Sequence, residues 1–131
     1  MKPVLIILLA ISSFSIAACK KKKKSGSEHE HASAVITITS PAENDTIQGN
    51  FVVTGTIAGT ADLHGYQVTV TNTLNDSIIY QHELHDHVAD FTINQSVNHG
   101  FTAYTPLKLV VLAAIDHDGN MESKTVYFTV H

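Results

Sequence analysis

The stretch that decides the fold is residues 107–130, LKLVVLAAIDHDGNMESKTVYFTV. Its first part, residues 107–115, is apolar at nearly every position, a pattern typical of a central β-strand that is covered on both sides. Residues 116–120 then supply the small and polar side chains of a tight turn. The end of the stretch alternates between apolar and polar side chains, with apolar residues at Val126, Phe128 and Val130. The stretch therefore predicts a β-hairpin.

The same alternation recurs upstream in short runs that are separated by turn residues. These runs lie near residues 35–39, 51–57, 66–71, 78–82 and 91–93. No segment has the 3.6-residue apolar period of an amphipathic helix. Seven short strands in a segment of this length predict an all-β fold, a seven-stranded antiparallel sandwich of immunoglobulin type. We expect this domain to occupy residues 34–131.

Three short motifs resemble those of bacterial immunoglobulin-like domains. The final turn AAIDHDGN at residues 113–120, with the alternating strand after it, is similar to the last hairpin of such domains. ITSP at residues 38–41 and GTI at residues 55–57 are similar to other parts of them. The layout also resembles small immunoglobulin-like lipoproteins with a histidine-rich segment after the third strand. The resemblance implies the sandwich fold and does not assign a function.

The N-terminus has the pattern of a secretory signal. Lys2 precedes an apolar run at residues 4–11, and small residues follow up to Ala18. The apolar part is shorter than the roughly 20 residues that a membrane-spanning helix needs. IAAC at residues 16–19 resembles the lipobox of bacterial lipoproteins, and this resemblance implies cleavage before Cys19 and lipidation of Cys19. We therefore expect a signal peptide over residues 1–18 and a membrane anchor through the lipid on Cys19.

Residues 19–33 are predicted to form a disordered tether that is rich in lysine. Five consecutive lysines at residues 20–24 are followed by polar residues that have little apolar surface to bury. Such lysines favour anionic lipid headgroups. Surface-exported lipoproteins of some bacteria carry acidic residues just after the cysteine, and this chain carries lysines there. We therefore expect a location in the cell envelope, anchored by lipid to the outer membrane and facing the periplasm.

The charge of the predicted domain excludes one class of partner. Residues 34–131 contain two lysines and ten carboxylates, a formal charge of −8. Nucleic-acid binding requires a basic face, so we predict no nucleic-acid partner. The sequence also contains no serine-hydrolase elbow, zinc-protease helix motif or phosphate-binding glycine loop. We therefore predict that the protein is not an enzyme.

The nine histidines are the unusual feature of the composition. Pairing of Phe91 and Ile93 with His82 and Tyr80 would leave residues 83–89 as a loop. The loops of an immunoglobulin-type sandwich gather at its two ends, and three loops that carry histidine are expected at one end. Three or four imidazoles with a carboxylate in reach suit zinc or copper(II). The predicted metal ligands are His64, His85, His87, His117 and Asp86.

Two functions remain open at this point. One is a non-catalytic binding or accessory module that uses its loops to contact a protein or glycan. The other is a metal-binding lipoprotein for zinc or copper. The histidines could also be solvated loop residues, or they could make this end of the domain respond to pH. Convergence of the four histidines in space would favour the metal-binding function.

Overall fold

The computed structural model describes residues 31–131, which form eight β-strands and no helix. In chain order the strands are β1 (Ala34–Ser40), β2 (Thr46–Ile47), β3 (Phe51–Leu63), β4 (Gly65–Asn72), β5 (Ile78–Leu84), β6 (Val88–Val97), β7 (Thr105–Ala114) and β8 (Met121–Val130). The prediction of an all-β fold is confirmed for this part of the chain. The predicted signal peptide, Cys19 and the tether up to residue 30 lie outside the described residues.

The strands form two sheets that enclose one core. The smaller sheet has the order β1-β3-β6, and the larger has the order β2-β8-β7-β4-β5. Strand β7 is central in the larger sheet, as its apolar sequence predicts, but the prediction that it is covered on both sides is wrong, because its side chains alternate between buried and half-buried. The sheet therefore faces the core on one side only. Fully buried residues from both sheets meet in this core, among them Val53, Ile57, Ile93, Val68, Leu109 and Val111. Within residues 31–131, no segment forms a helix long and apolar enough to cross a bilayer.

The prediction of seven antiparallel strands is wrong in one respect. An eighth strand, β2, has only two residues and pairs in parallel with β8 through Thr46↔Thr129 and Ile47↔Val130. It lies between two residues with positive φ angles, Asn44 at 64° and Gly49 at 75°. A two-residue strand between turns is too short to show an alternating pattern, so the sequence gives no sign of it.

The expected pairing of Phe91 and Ile93 with His82 and Tyr80 is also wrong. Strand β5 pairs with β4, whereas β6 pairs with β3 in the other sheet. The chain crosses between the sheets in only three residues, 85–87. Period-2 alternation identifies which face of a strand is buried, and it does not identify the neighbouring strand.

We expect Leu109→Ala to destabilise the domain by about 2 to 5 kcal/mol, because Leu109 is fully buried in the central strand and its truncation leaves a cavity. The free energy of unfolding in urea provides the measurement. Leu74→Ala is the matched control, since Leu74 is 72% exposed and should cost about 0.5 kcal/mol or less. Equal losses for the two variants would contradict the placement of β7.

Candidate metal centre

Three chain connections meet at one end of the two sheets, which we call the histidine pole. His64 lies between β3 and β4, residues 85–87 connect β5 to β6, and His117 lies in the turn between β7 and β8. These connections are adjacent because the start of β4 pairs with the ends of two other strands. Gly65 pairs with Ala114 at the end of β7, and Tyr66 pairs with Leu84 at the end of β5.

The four histidine rings predicted as ligands form one cluster at the histidine pole. The centroid of the His64 ring lies 3.8 Å from that of His117 and 4.5 Å from that of His87. The His87 centroid lies 5.5 Å from that of His85 and 5.8 Å from that of His117. The two closest pairs pack edge to face, with interplanar angles of 83° and 66°. His64 therefore makes the two shortest ring contacts, and His87 contacts all three of the other rings.

Gly65 allows β5 and the connection after it to reach His64. Its φ angle is +129°, and a Cβ atom at this position would overlap the carbonyl oxygen of Leu84. Only glycine tolerates both the backbone conformation and the close approach. The backbone N–H of His64 donates to the carbonyl oxygen of Ala114 at 2.8 Å. His64 is thus fixed to the end of the central strand, next to the histidines of the neighbouring connection.

Asp116 organises the turn that carries His117. One carboxylate oxygen accepts hydrogen bonds from the backbone N–H groups of Asp118 (2.9 Å) and Asn120 (3.2 Å). The other accepts from the side-chain amide of Asn120 at 2.6 Å. Mainly because of the hydrogen bond from the Asn120 side chain, the pKa of Asp116 is held below its ordinary value. The carboxylate is therefore ionised at neutral pH, and it stabilises the turn.

The carboxylate chosen from the sequence as a candidate ligand, Asp86, has a local role in the structure. Its Oδ1 atom accepts a hydrogen bond from the backbone N–H of the next residue, His87, at 2.8 Å. The carboxylate that acts electrostatically on His64 is Asp116, whose charge partly opposes the lowering of the pKa of His64 by burial and by the other histidines. Asp116 precedes His117 in the turn and was not among the predicted ligands.

His64 differs from the other three rings in its surroundings. It is half-buried, whereas His85, His87 and His117 are exposed. Among the described residues, its Nδ1 atom is buried and has no hydrogen-bond partner. Burial lowers the pKa of His64, and the neighbouring histidines lower it further, in the order His117, His87, His85. The ring therefore favours its neutral form, which has a free lone pair on one nitrogen.

The cluster is not arranged in advance as a coordination site. In the range 31–131, no three His, Cys, Asp or Glu side chains are already positioned to hold one metal ion. Three of the four close ring pairs pack edge to face, which differs from the convergence of ring nitrogens on one point that coordination needs. Three of the four rings are on exposed loop residues, whose side chains can change rotamer. Coordination would therefore require ring rotation.

The remaining histidines of the described residues lie apart from the cluster, except His31. His99 contacts the Gly49 carbonyl oxygen through Nε2 at 2.6 Å and accepts from the Phe101 N–H at Nδ1. His131 packs against Tyr104 at the same far end of the sheets. His31 lines a cavity together with Asp116 and Glu122, so the start of the domain lies at the histidine pole. His29 lies outside the described residues.

Comparison with known proteins does not assign a function to these residues. No protein-family model matches the chain, and no curated protein is significantly similar to it.

The lowered pKa of His64 predicts how stability depends on pH in the metal-free protein. The unfolded chain binds a proton at this histidine near pH 6.5, whereas the folded chain binds it only at lower pH. The stability that neutral His64 contributes is therefore complete above about pH 6.5, and it is lost as the pH falls through the folded pKa.

We expect the free energy of unfolding to fall more in the wild type than in His64→Gln as the pH decreases from about 7.5 to about 5. Glutamine does not titrate, so the variant lacks this proton linkage. Urea unfolding in the presence of a chelator measures the difference, and His131→Gln serves as the control outside the cluster. A parallel decrease in the wild type and His64→Gln would contradict the assignment.

Proposed function

We propose that this chain is a lipid-anchored metal-binding protein of the bacterial cell envelope. In this proposal, His64, His85, His87 and His117 bind a zinc or copper ion at the histidine pole. The observation that carries the proposal is the clustering of His64 with three other imidazoles, together with its buried Nδ1 atom, which has no partner among the described residues.

The chemistry of this cluster favours a metal over a purely structural role. An unpaired buried ring nitrogen costs free energy, because the atom loses its hydrogen bond to water. Four imidazoles at such short distances also repel one another when they are protonated. A metal ion that binds the lone pairs removes both costs, and neutral imidazole is the commonest protein ligand of zinc and copper.

The charge of the surrounding domain supports the same conclusion. Residues 34–131 carry a formal charge of −8, which attracts cations toward the domain. Asp116 adds an ionised carboxylate beside the rings and, through its turn, fixes the position of His117. Carboxylates near metal-binding imidazoles raise their basicity and orient them. We assign Asp116 to this supporting role and Asp86 to the local support of His87.

The fold and the anchor complete the proposal. The strand order supports an immunoglobulin-type sandwich, because β1-β3-β6 opposite β8-β7-β4 corresponds to the arrangement of that fold's two sheets. The signal pattern at residues 1–18 and the lipobox-like IAAC support lipidation at Cys19. Lysines 20–24 beside the lipid support attachment to a membrane, with the domain facing the periplasm.

Zinc titration of the full chain in detergent tests the metal site. We expect heat release with a dissociation constant in about the micromolar range or below, and a higher Tm, since an ion that binds only the folded state stabilises it by about 2.7 kcal/mol at a hundredfold excess over Kd. His64→Gln should lose most of this affinity. The doubly substituted His85→Gln/His87→Gln chain should also lose most of it.

Two controls make this test specific. His131→Gln removes a histidine from the far end of the domain and should leave zinc binding unchanged. His29→Gln with His31→Gln removes the histidines that precede β1. Absence of both zinc and copper binding in the wild type, or loss of binding only in the His29/His31 variant, would overturn the proposal and favour the accessory role toward a protein or glycan.

The anchor is tested separately by mass spectrometry of the protein isolated from bacterial membranes. We expect the mature chain to begin at Cys19 and to carry fatty acyl chains, because the residues before it fit the lipobox pattern. Cys19→Ser should leave the precursor uncut. A mature chain that begins elsewhere and lacks acyl groups would contradict the anchoring.

A further inference from the structure

A shallow groove lies beside the histidine pole, on the outer face of the larger sheet. Gly65, Ala114 and Met121 form one row across β4, β7 and β8, because Gly65 pairs with Ala114 and Ala114 pairs with Met121. Because Gly65 has no side chain and Ala114 has only a methyl group, this part of the sheet surface forms a depression. His64, His85 and Met121 line the groove around these two small residues.

Met121 lies two strands away from Gly65 in this row and lines the same groove as His64 and His85. Neighbouring strands lie about 4.8 Å apart, so Met121 is roughly 10 Å from Gly65 across the sheet. Between them is Ala114, whose carbonyl oxygen binds the backbone N–H of His64. The methionine side chain has three rotatable bonds and can extend over a residue as small as alanine. Its sulfur can therefore approach the His64 side of the groove.

Packing does not account for a methionine at this position. The side chain is 59% exposed at the first residue of β8, so it buries little apolar surface. Among residues 31–131 it is the only thioether, and no thiol is present in that range. An exposed thioether that shares a groove with two imidazoles has the chemistry of a soft metal ligand.

We propose that the ion bound at the histidine pole is copper(I), and that Met121 supplies a thioether ligand beside the imidazoles of His64 and His85. This inference rests on the proposed metal site and adds the identity of the ion. Thioether sulfur selects copper(I) among the common biological metals, whereas zinc sites in proteins use thiolate, imidazole and carboxylate. Zinc would therefore bind through the histidines alone.

Metal competition with Met121→Leu tests the inference. The full chain carries Cys19→Ser in every sample, so that no thiol competes for copper(I), and it is studied in detergent without oxygen. Copper(I) affinity is measured by competition with the chromophoric chelator bicinchoninate, and zinc affinity by calorimetry. We expect Met121→Leu to weaken copper(I) binding by roughly tenfold or more and to leave zinc binding unchanged.

A matched control and a spectroscopic signature accompany the affinities. Ile78→Leu is the matched control, because Ile78 belongs to the same sheet and is similarly exposed, at 60%, but lies at the far end of β5. This variant should change neither the copper(I) affinity nor the zinc affinity. X-ray absorption of the copper(I)-loaded chain should show copper–sulfur scattering that disappears in Met121→Leu. With the ε-methyl groups of methionine labelled, the NMR signal of Met121 should move on addition of silver(I), and that of Met1 should not.

The outcomes separate this inference from the proposed function. Copper(I) binding that is unchanged in Met121→Leu, or copper without sulfur scattering, overturns the role of Met121 while zinc binding still supports the histidine site. A wild-type chain that binds neither ion overturns both.

Discussion

The close approach of β5 to β4 at Gly65 is the constraint on which the histidine pole depends. The Leu84 carbonyl oxygen occupies the space that any side chain at residue 65 would need. This contact brings the end of β5 level with the end of β7, and the short connection at residues 85–87 then crosses to the other sheet beside His64. Without this contact, the connection that carries His85 and His87 would not lie next to His64. The geometry of the cluster thus follows from backbone pairing, and side-chain attraction adds little to it.

Much of this arrangement could be predicted from the sequence, and the failures have physical reasons. Alternating apolar residues such as Val68 and Val70 identified the strands and their buried faces, since a strand buried on one side needs that period. The same alternation could not show that β5 and β6 belong to different sheets, because either pairing buries the same side chains. The choice of Asp86 as the candidate carboxylate rested on its closeness to two histidines in sequence. Asp116 is the carboxylate whose charge acts on His64, and only the folded chain shows this.

The cluster places polar rings where a hydrophobic core ends. His64 directly follows Leu63, which is fully buried, and the ring is half-buried at the boundary with solvent. An imidazole at such a boundary is partly desolvated, so its neutral form is favoured. The other three rings of the cluster are exposed. A half-buried ring with exposed neighbours suits the proposed binding of an ion that exchanges with solvent.

The start of β1 lies at the same end of the molecule as the rings, since Ala34 pairs with Gly59 near the end of β3 and His31 lines a cavity with Asp116. In the proposed lipid-anchored protein, the chain from Cys19 would enter the domain at this end, which would place this end toward the lipid and the opposite end toward the periplasm. A metal ion bound at the proposed site would then be exchanged in the narrow layer next to the bilayer surface. Donors and acceptors embedded in that membrane would have readier access to it than carriers diffusing farther away.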